Sequence, residues 1–142
     1  MIVVDANVLV SGLRSRNGAS YVVLRAMLTG ELPFAASPAV VLEYEDVLKR
    51  PGMFAVRPWI GADEIDRILD VICLHATRAH PMFRLRPILG DPDDDLYLEC
   101  ALAGGADTIL TYDKGFDNAS VRALGIQSLT PREFLKRQGS QP

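Results

Sequence analysis

Short β-branched runs alternate with longer stretches of helical spacing along this chain. Ile2-Val3-Val4 is an apolar run stopped by Asp5-Ala6-Asn7, which reads as a buried parallel strand opening at its carboxyl end into a polar, functional loop. Tyr21–Leu28 has helical spacing and stops at Gly30. Leu32–Ala36 is apolar and compatible with a strand, and Ser37-Pro38 then supplies an N-cap residue followed by proline at the first helical position, predicting a helix over Ala39–Lys49. At roughly 100° per residue, Val40, Val41, Tyr44, Val47 and Leu48 share one face of that helix, and Glu43 falls on its edge. Arg50-Pro51-Gly52 breaks the helix, and Ala62–Leu74 resumes the period through Ile65, Ile68, Leu69 and Ile72. Pro81–Leu89 is irregular. Asp91-Pro92 resembles a helix start, and Leu96–Ala103 is apolar nearly all round, which predicts a central, buried helix ended by Gly104-Gly105. Thr108–Thr111 reads as the next strand, Ile126–Leu129 as an edge strand and Pro131–Lys136 as a closing helix. Strands alternating with helices predict an α/β fold, a three-layer α/β/α arrangement around a central parallel sheet with right-handed crossovers.

Length and composition narrow this picture. A chain of 142 residues with 49% apolar residues suits one domain, expected over residues 1–137 with a flexible tail over 138–142. The N-terminus enters Ile2-Val3-Val4 without a basic leader, and no apolar run approaches the ~18 residues of a membrane span, so a cytoplasmic protein is expected. Cys73 and Cys100 both fall in apolar helical stretches and read as buried, reduced thiols. His75 and His80 read as surface residues rather than ligands. A formal net charge of −3 argues against generic, charge-driven binding of nucleic acid, but not against a nuclease whose acids are cancelled by cations. The basic residues are grouped: Arg14 and Arg16 beyond the first acidic loop, Lys49 and Arg50 at the end of the Glu43 helix, and Arg78, Arg84 and Arg86 before the acidic turn.

The candidate chemistry is carboxylate chemistry. Asp5 and Asp113 each stand just past a predicted strand, Glu43 sits on the edge of an apolar helix face, and Asp95 lies in the first turn of the buried helix. The crevice outside the carboxyl ends of the strands is the default ligand site of an open α/β sheet. Acids delivered there would share one site, and such a cluster must take up protons, basic partners or a metal; hard oxygen donors favour Mg²⁺ or Mn²⁺. Each acid taken singly also has a structural reading. Asp5 and Asp113 could cap turns, and Asp91, Asp93, Asp94 and Asp95 could serve a helix N-terminus and its dipole. A cap does not account for Glu43 in the middle of a helix.

Four segments together, MIVVDANVLVSGL, SPAVVLEYEDVL with Glu43, DPDDDLYLECALAGGAD and ILTYDKGF, resemble the PIN domain, the nuclease fold of VapC-type toxins. The resemblance spans about Ile2 to Leu135 and rests on the order and spacing of the segments. By position it implies that Asp5, Glu43, Asp95 and Asp113 are the catalytic, metal-binding acids, with Asn7 and Thr111 as polar helpers and Asp117 as an additional acid. Within the DPDDD run Asp95 is assigned because it stands three residues before Leu98 on the buried helix; Asp93 or Asp91 could share the role. Many relatives carry Thr or Ser where this chain has Ala6. The resemblance implies a Mg²⁺- or Mn²⁺-dependent ribonuclease acting on single-stranded or loop RNA, in a toxin-antitoxin pair. It also implies a small antitoxin partner whose peptide fills the acidic cleft, and a homodimer using Tyr21–Leu28 and Ala62–Leu74.

On this reading a Ser11-Gly12 loop with Arg14 and Arg16 serves as a phosphate site, and Tyr112 either stacks on a base or covers the strand end. Two rivals come from other classes. A PIN-like module that binds RNA or protein without catalysis would keep the fold and bind no metal. A haloacid-dehalogenase-type phosphatase also starts from a strand-end Asp, but usually wants a second Asp where this chain has Asn7.

Overall fold

The computed structural model describes residues 1–82 and 92–139. Among these residues five short parallel strands form the middle layer: β1 (Ile2–Val4), β2 (Ala35–Ala36), β3 (Thr77–Arg78), β4 (Thr108–Leu110) and β5 (Gln127–Leu129). β1, β4 and β5 are hydrogen-bonded in that order, β2 pairs with β3, and a bridge from Ile2 to Phe34 sets the second pair beside β1. Among the described residues seven helices flank the strands: α1 (Ala6–Arg14), α2 (Ala19–Leu28), α3 (Pro38–Leu48), α4 (Ala62–His75), α5 (Pro92–Gly104), α6 (Ala119–Ala123) and α7 (Pro131–Gly139). The result is the expected three-layer α/β/α fold.

The chain leaves β1 toward β2 and β3 on one side and returns to β4 and β5 on the other. That reversal makes the crevice at the carboxyl ends of β1 and β4 the topological switch point. The register fixes what meets there. Val4 pairs with Leu110, so the next residues on each strand, Asp5 and Thr111, stand side by side.

The core explains why the elements hold. Val3, Val4, Ile109 and Leu110 are fully buried, as a parallel sheet covered on both faces requires. Leu98, Cys100 and Ala101 on α5 are equally buried, and α5 packs against β1, β2, β4 and α3, which makes it the central helix foreseen from its sequence. Ser37 caps α3 by accepting from the Val40 N–H at 3.2 Å, with Pro38 in the first turn. The buried Tyr44 donates its hydroxyl proton to the Val4 carbonyl and so ties α3 to the end of β1.

Several expectations are corrected. The stretch after Asp5 is helix α1 rather than a loop, and Ser11 and Gly12 lie inside it. The valines and the Ser-Gly pair are weak helix formers, yet Ala6, Leu9, Val10 and Leu13 fall at helical spacing and α1 packs tightly on α2. A Cβ at Gly12 would stand 2.9 Å from the Ser20 carbonyl oxygen, so only glycine permits this approach. Cys73 is exposed while Cys100 is buried; Cys73 shares the outer face of α4 with Asp66 and Asp70, seven and three residues earlier. The predicted strand over Leu32–Ala36 is confined to Ala35–Ala36, and β3 and α6 escaped prediction because they are too short to show a period. α7 continues to Gly139, into the stretch expected to be a loose tail. Most of Pro81–Leu89, with Arg84 and Arg86, lies outside the described residues, as do Asp91 and the side chains of Asp93 and Asp94. Among the described residues no helix is long and apolar enough to cross a membrane.

Candidate active site

Asp5 caps α1 at the end of β1: its Oδ1 accepts the Asn7 backbone N–H at 3.2 Å. Its Oδ2 accepts the Thr111 hydroxyl at 2.7 Å and the Asn7 side-chain amide at 3.2 Å. Thr111 in turn accepts the Asp113 N–H at 2.9 Å, and the Asn7 Oδ1 accepts the Tyr112 N–H at 3.3 Å. One carboxylate is thus locked in orientation by a network that crosses from β1 to β4. Asn7 occupies the place where a phosphatase of the haloacid-dehalogenase type would want its second Asp, and its amide is spent on holding the first.

Asp5 is 7% exposed, and burial pushes its carboxyl above the ordinary value of 3.8. The Thr111 hydroxyl and the Asn7 N–H pull it back, the negative charge of Asp113 adds to the rise, and the Tyr97 hydroxyl opposes it. Tyr97 on α5 also accepts the Ala6 N–H at 3.1 Å, across 91 residues of sequence.

A cleft of about 680 Å³ opens over Asp5, with Asn7, Ser11 and Arg14 from α1, Glu43 and Val47 from α3, and Tyr97 among its lining residues. Glu43 is half-buried and lines the same cleft as Asp5, whereas Glu45 and Asp46, two and three residues further along α3, are exposed. Asp113 is exposed beyond β4 and caps a 3₁₀ turn, Lys114–Phe116, by accepting the Gly115 N–H at 2.8 Å. Asp95 is buried on α5 at 1% exposure and is not part of the cleft lining. Asp117 pairs with Arg122 at 2.6 Å, away from the cleft. Arg14 donates to the Met53 carbonyl at 2.9 and 3.2 Å from the cleft rim, while Arg16 faces a different groove. The two arginines therefore do not form one phosphate site. Tyr112 is half-exposed and its hydroxyl is hydrogen-bonded to Ser20, which fastens α2 over the end of β4.

The PIN domain family model matches residues 1–115. This chain belongs to the PIN domain family. The match ends within the 3₁₀ turn, so α6, β5 and α7 of this PIN domain lie beyond it. PIN domains are generally nucleases, and a strand-end acid at the switch point of the sheet is what such a fold needs to reach a phosphodiester. No curated protein matches the chain.

The cleft of this PIN domain fits a hard cation in donor chemistry. Its polar lining offers carboxylate, amide and hydroxyl oxygens and contains neither His nor Cys. Among the described residues, however, no three of His, Cys, Asp and Glu are grouped closely enough to form an ion cage by themselves. That is compatible with Mg²⁺, which keeps several waters and is commonly held by one or two carboxylates plus substrate phosphates. Tyr97 and Arg50 line the same cleft and were not foreseen. An aromatic hydroxyl two residues past Asp95 was the available signal for Tyr97; for Arg50 it was a basic residue seven positions past Glu43.

The raised Asp5 carboxyl has a consequence for stability. Below pH 3.8 the group is protonated in both the folded and the unfolded chain. As pH rises, the unfolded chain releases this proton first, so the stability associated with it is lost through the folded-state value and is not regained above it. Urea unfolding in EDTA, from pH 3.8 to neutrality, should therefore show wild type losing stability relative to Asp5→Asn. Parallel curves for the two proteins would refute the assignment of a desolvated, ionisable Asp5.

Proposed function

We propose that this PIN domain is a Mg²⁺- or Mn²⁺-dependent endoribonuclease and the toxin of a toxin-antitoxin pair. The observation that carries the nuclease reading is the fixed, buried carboxylate of Asp5 in a cleft that Glu43 also lines. A carboxylate that burial disfavours in its charged form gains from a cation. Asp5 and Glu43 are the cleft residues that would hold it; Asp113, whose charge is felt at Asp5, and the buried Asp95 stand outside the cleft lining. When bound, the ion supplies an acidified water and neutralises charge on the phosphoryl oxygens.

The rest of the work falls to the chain. Thr111 and Asn7 orient the Asp5 oxygens. Glu43, in the same cleft, binds or accepts a proton from the attacking water. Arg14 and Arg50 at the rim attract the RNA backbone. Attack by water in line with the leaving oxygen yields a 5′-phosphate and a 3′-hydroxyl, and no histidine or serine nucleophile takes part.

The toxin reading is supported by the resemblance to VapC-type proteins. It carries a small antitoxin whose arginine reaches the cleft carboxylates, a cytoplasmic setting, and a homodimer. Its expected result is growth arrest on expressing wild type, no arrest with Asp5→Asn, and rescue by the product of a neighbouring small reading frame. Equal toxicity of the two proteins would refute it. The rival, a PIN-like binding module without catalysis, predicts RNA binding with no Mn²⁺ uptake and no cleavage.

A further inference from the structure

A second groove, of about 320 Å³, lies beyond the acidic cleft between the end of α1, α2, the segment before α4, and α4 itself. Its lining includes Arg16, Tyr21, Arg25, Arg57, Trp59 and Glu64. Trp59 is 64% exposed, an unusual state for the largest apolar side chain, and the Arg57 guanidinium sits 5.7 Å from its ring centroid. None of Arg16, Arg25 and Arg57 is ion-paired with a described residue, whereas Glu64 is already engaged by Arg67 at 2.5 Å. In a chain of net charge −3 this is a local excess of uncompensated cations around an aromatic face.

The groove and the cleft are linked through lining residues shared with a third depression. Arg50 and Met53 line both the cleft and a shallow depression beside it, and Ile60 lines both that depression and the groove. Arg14 at the cleft rim and Arg16 in the groove are two residues apart.

We propose that this groove is an RNA-binding site remote from the acids, in which an unpaired base stacks on Trp59 while Arg16, Arg25 and Arg57 hold its flanking phosphates. It rests on the nuclease reading for the identity of the ligand and adds the path by which a single strand leaves the cleft. Aromatic faces ringed by cations are how single strands are bound without sequence preference, and stacking requires a base that is not already in a duplex. A second copy of the chain fits this surface poorly. A twofold interface lays a patch on the same patch, which would set these arginines against their own counterparts.

Trp59 is the single tryptophan of the sequence, so its emission reports this site alone. In EDTA, a 12-nucleotide unstructured RNA should quench that emission saturably, less so as salt rises, and a duplex of the same sequence should quench it little. By fluorescence anisotropy of labelled RNA, Trp59→Ala should weaken binding roughly tenfold and Trp59→Phe should recover part of the loss. Arg16→Ala with Arg25→Ala should weaken it by a similar factor and reduce the salt dependence. Full-affinity RNA binding with unchanged Trp59 emission, unaffected by Trp59→Ala, would overturn the groove while leaving cleavage in the cleft untouched. Quenching by RNA in a protein that never cleaves would keep the groove and overturn the nuclease reading. Emission that changes with protein concentration alone, with a doubling of mass, would assign the surface to a second copy and overturn the proposal.

Discussion

Asp5→Asn should lower RNA cleavage by at least about a thousandfold while leaving the fold in place. The charge that Asp5 would present to a cation underlies several kcal/mol of transition-state stabilisation, and ~4 kcal/mol corresponds to three decades in rate. Asparagine keeps the shape and can still cap α1, so circular dichroism and thermal unfolding should register a native protein. The change removes an ionised group that burial and the nearby Asp113 both disfavour, which offsets the hydrogen bonds it disturbs. The check is single-turnover cleavage of a labelled RNA at saturating Mn²⁺. A variant that cleaves within tenfold of wild type would show that the chemistry lies elsewhere.

Thr111→Val should cost one to two decades in divalent-ion affinity and a comparable factor in cleavage. Thr111 would touch neither ion nor RNA; it is a positioning residue. Its hydroxyl donates to Asp5 Oδ2 at 2.7 Å and accepts from the Asp113 N–H at 2.9 Å, so valine frees the carboxylate to rotate and leaves a backbone donor without its acceptor. Loss of an outer-shell partner of this kind typically costs 10–100-fold in metal affinity or activity, and the orphaned buried groups cost about 1–3 kcal/mol of stability. Thr111→Ser separates the two effects. Serine restores the hydroxyl without the methyl group, so Mn²⁺ affinity measured by calorimetry should return toward wild type even where thermal stability does not. If Thr111→Ser binds Mn²⁺ as poorly as Thr111→Val, the hydroxyl is not what orients Asp5.

The parts of this site that were legible in the sequence are those written in local punctuation. Asp5 and Thr111 could be placed because each follows an unbroken apolar run, and register then sets them side by side. Glu43 could be placed because Ser37-Pro38 fixes where α3 begins and so which face each residue presents. Contacts made across the sheet left no such mark. Tyr97 reaches the Ala6 N–H from α5, and Ser20 holds Tyr112, through packing that no spacing encodes. Helix α1 was hidden because the apolar content of β1 runs on into Val8-Leu9-Val10, where the switch from a period of two to 3.6 has too few residues to show. The same limit put Ser11 in a loop and Arg16 beside Arg14. Ser11 lines the cleft with Arg14 from inside α1, whereas the turn after the helix sends Arg16 to the other groove.

Asp113 illustrates how two readings of one residue can both hold. Its carboxylate caps the 3₁₀ turn, as an Asp after a strand is apt to do, and its charge is still felt at Asp5. The turn keeps that charge at the strand end, beside Asp5.

The central claim is hydrolysis of RNA by water at the Asp5–Glu43 cleft under a divalent ion. The most direct measurement incubates wild type with a mixed tRNA and rRNA pool in Mn²⁺ or in EDTA and determines the chemistry of every new end. The account predicts discrete cuts bearing 5′-phosphate and 3′-hydroxyl groups, present in Mn²⁺ and absent in EDTA. Ends bearing 2′,3′-cyclic phosphate, or cutting that persists in EDTA, would contradict it.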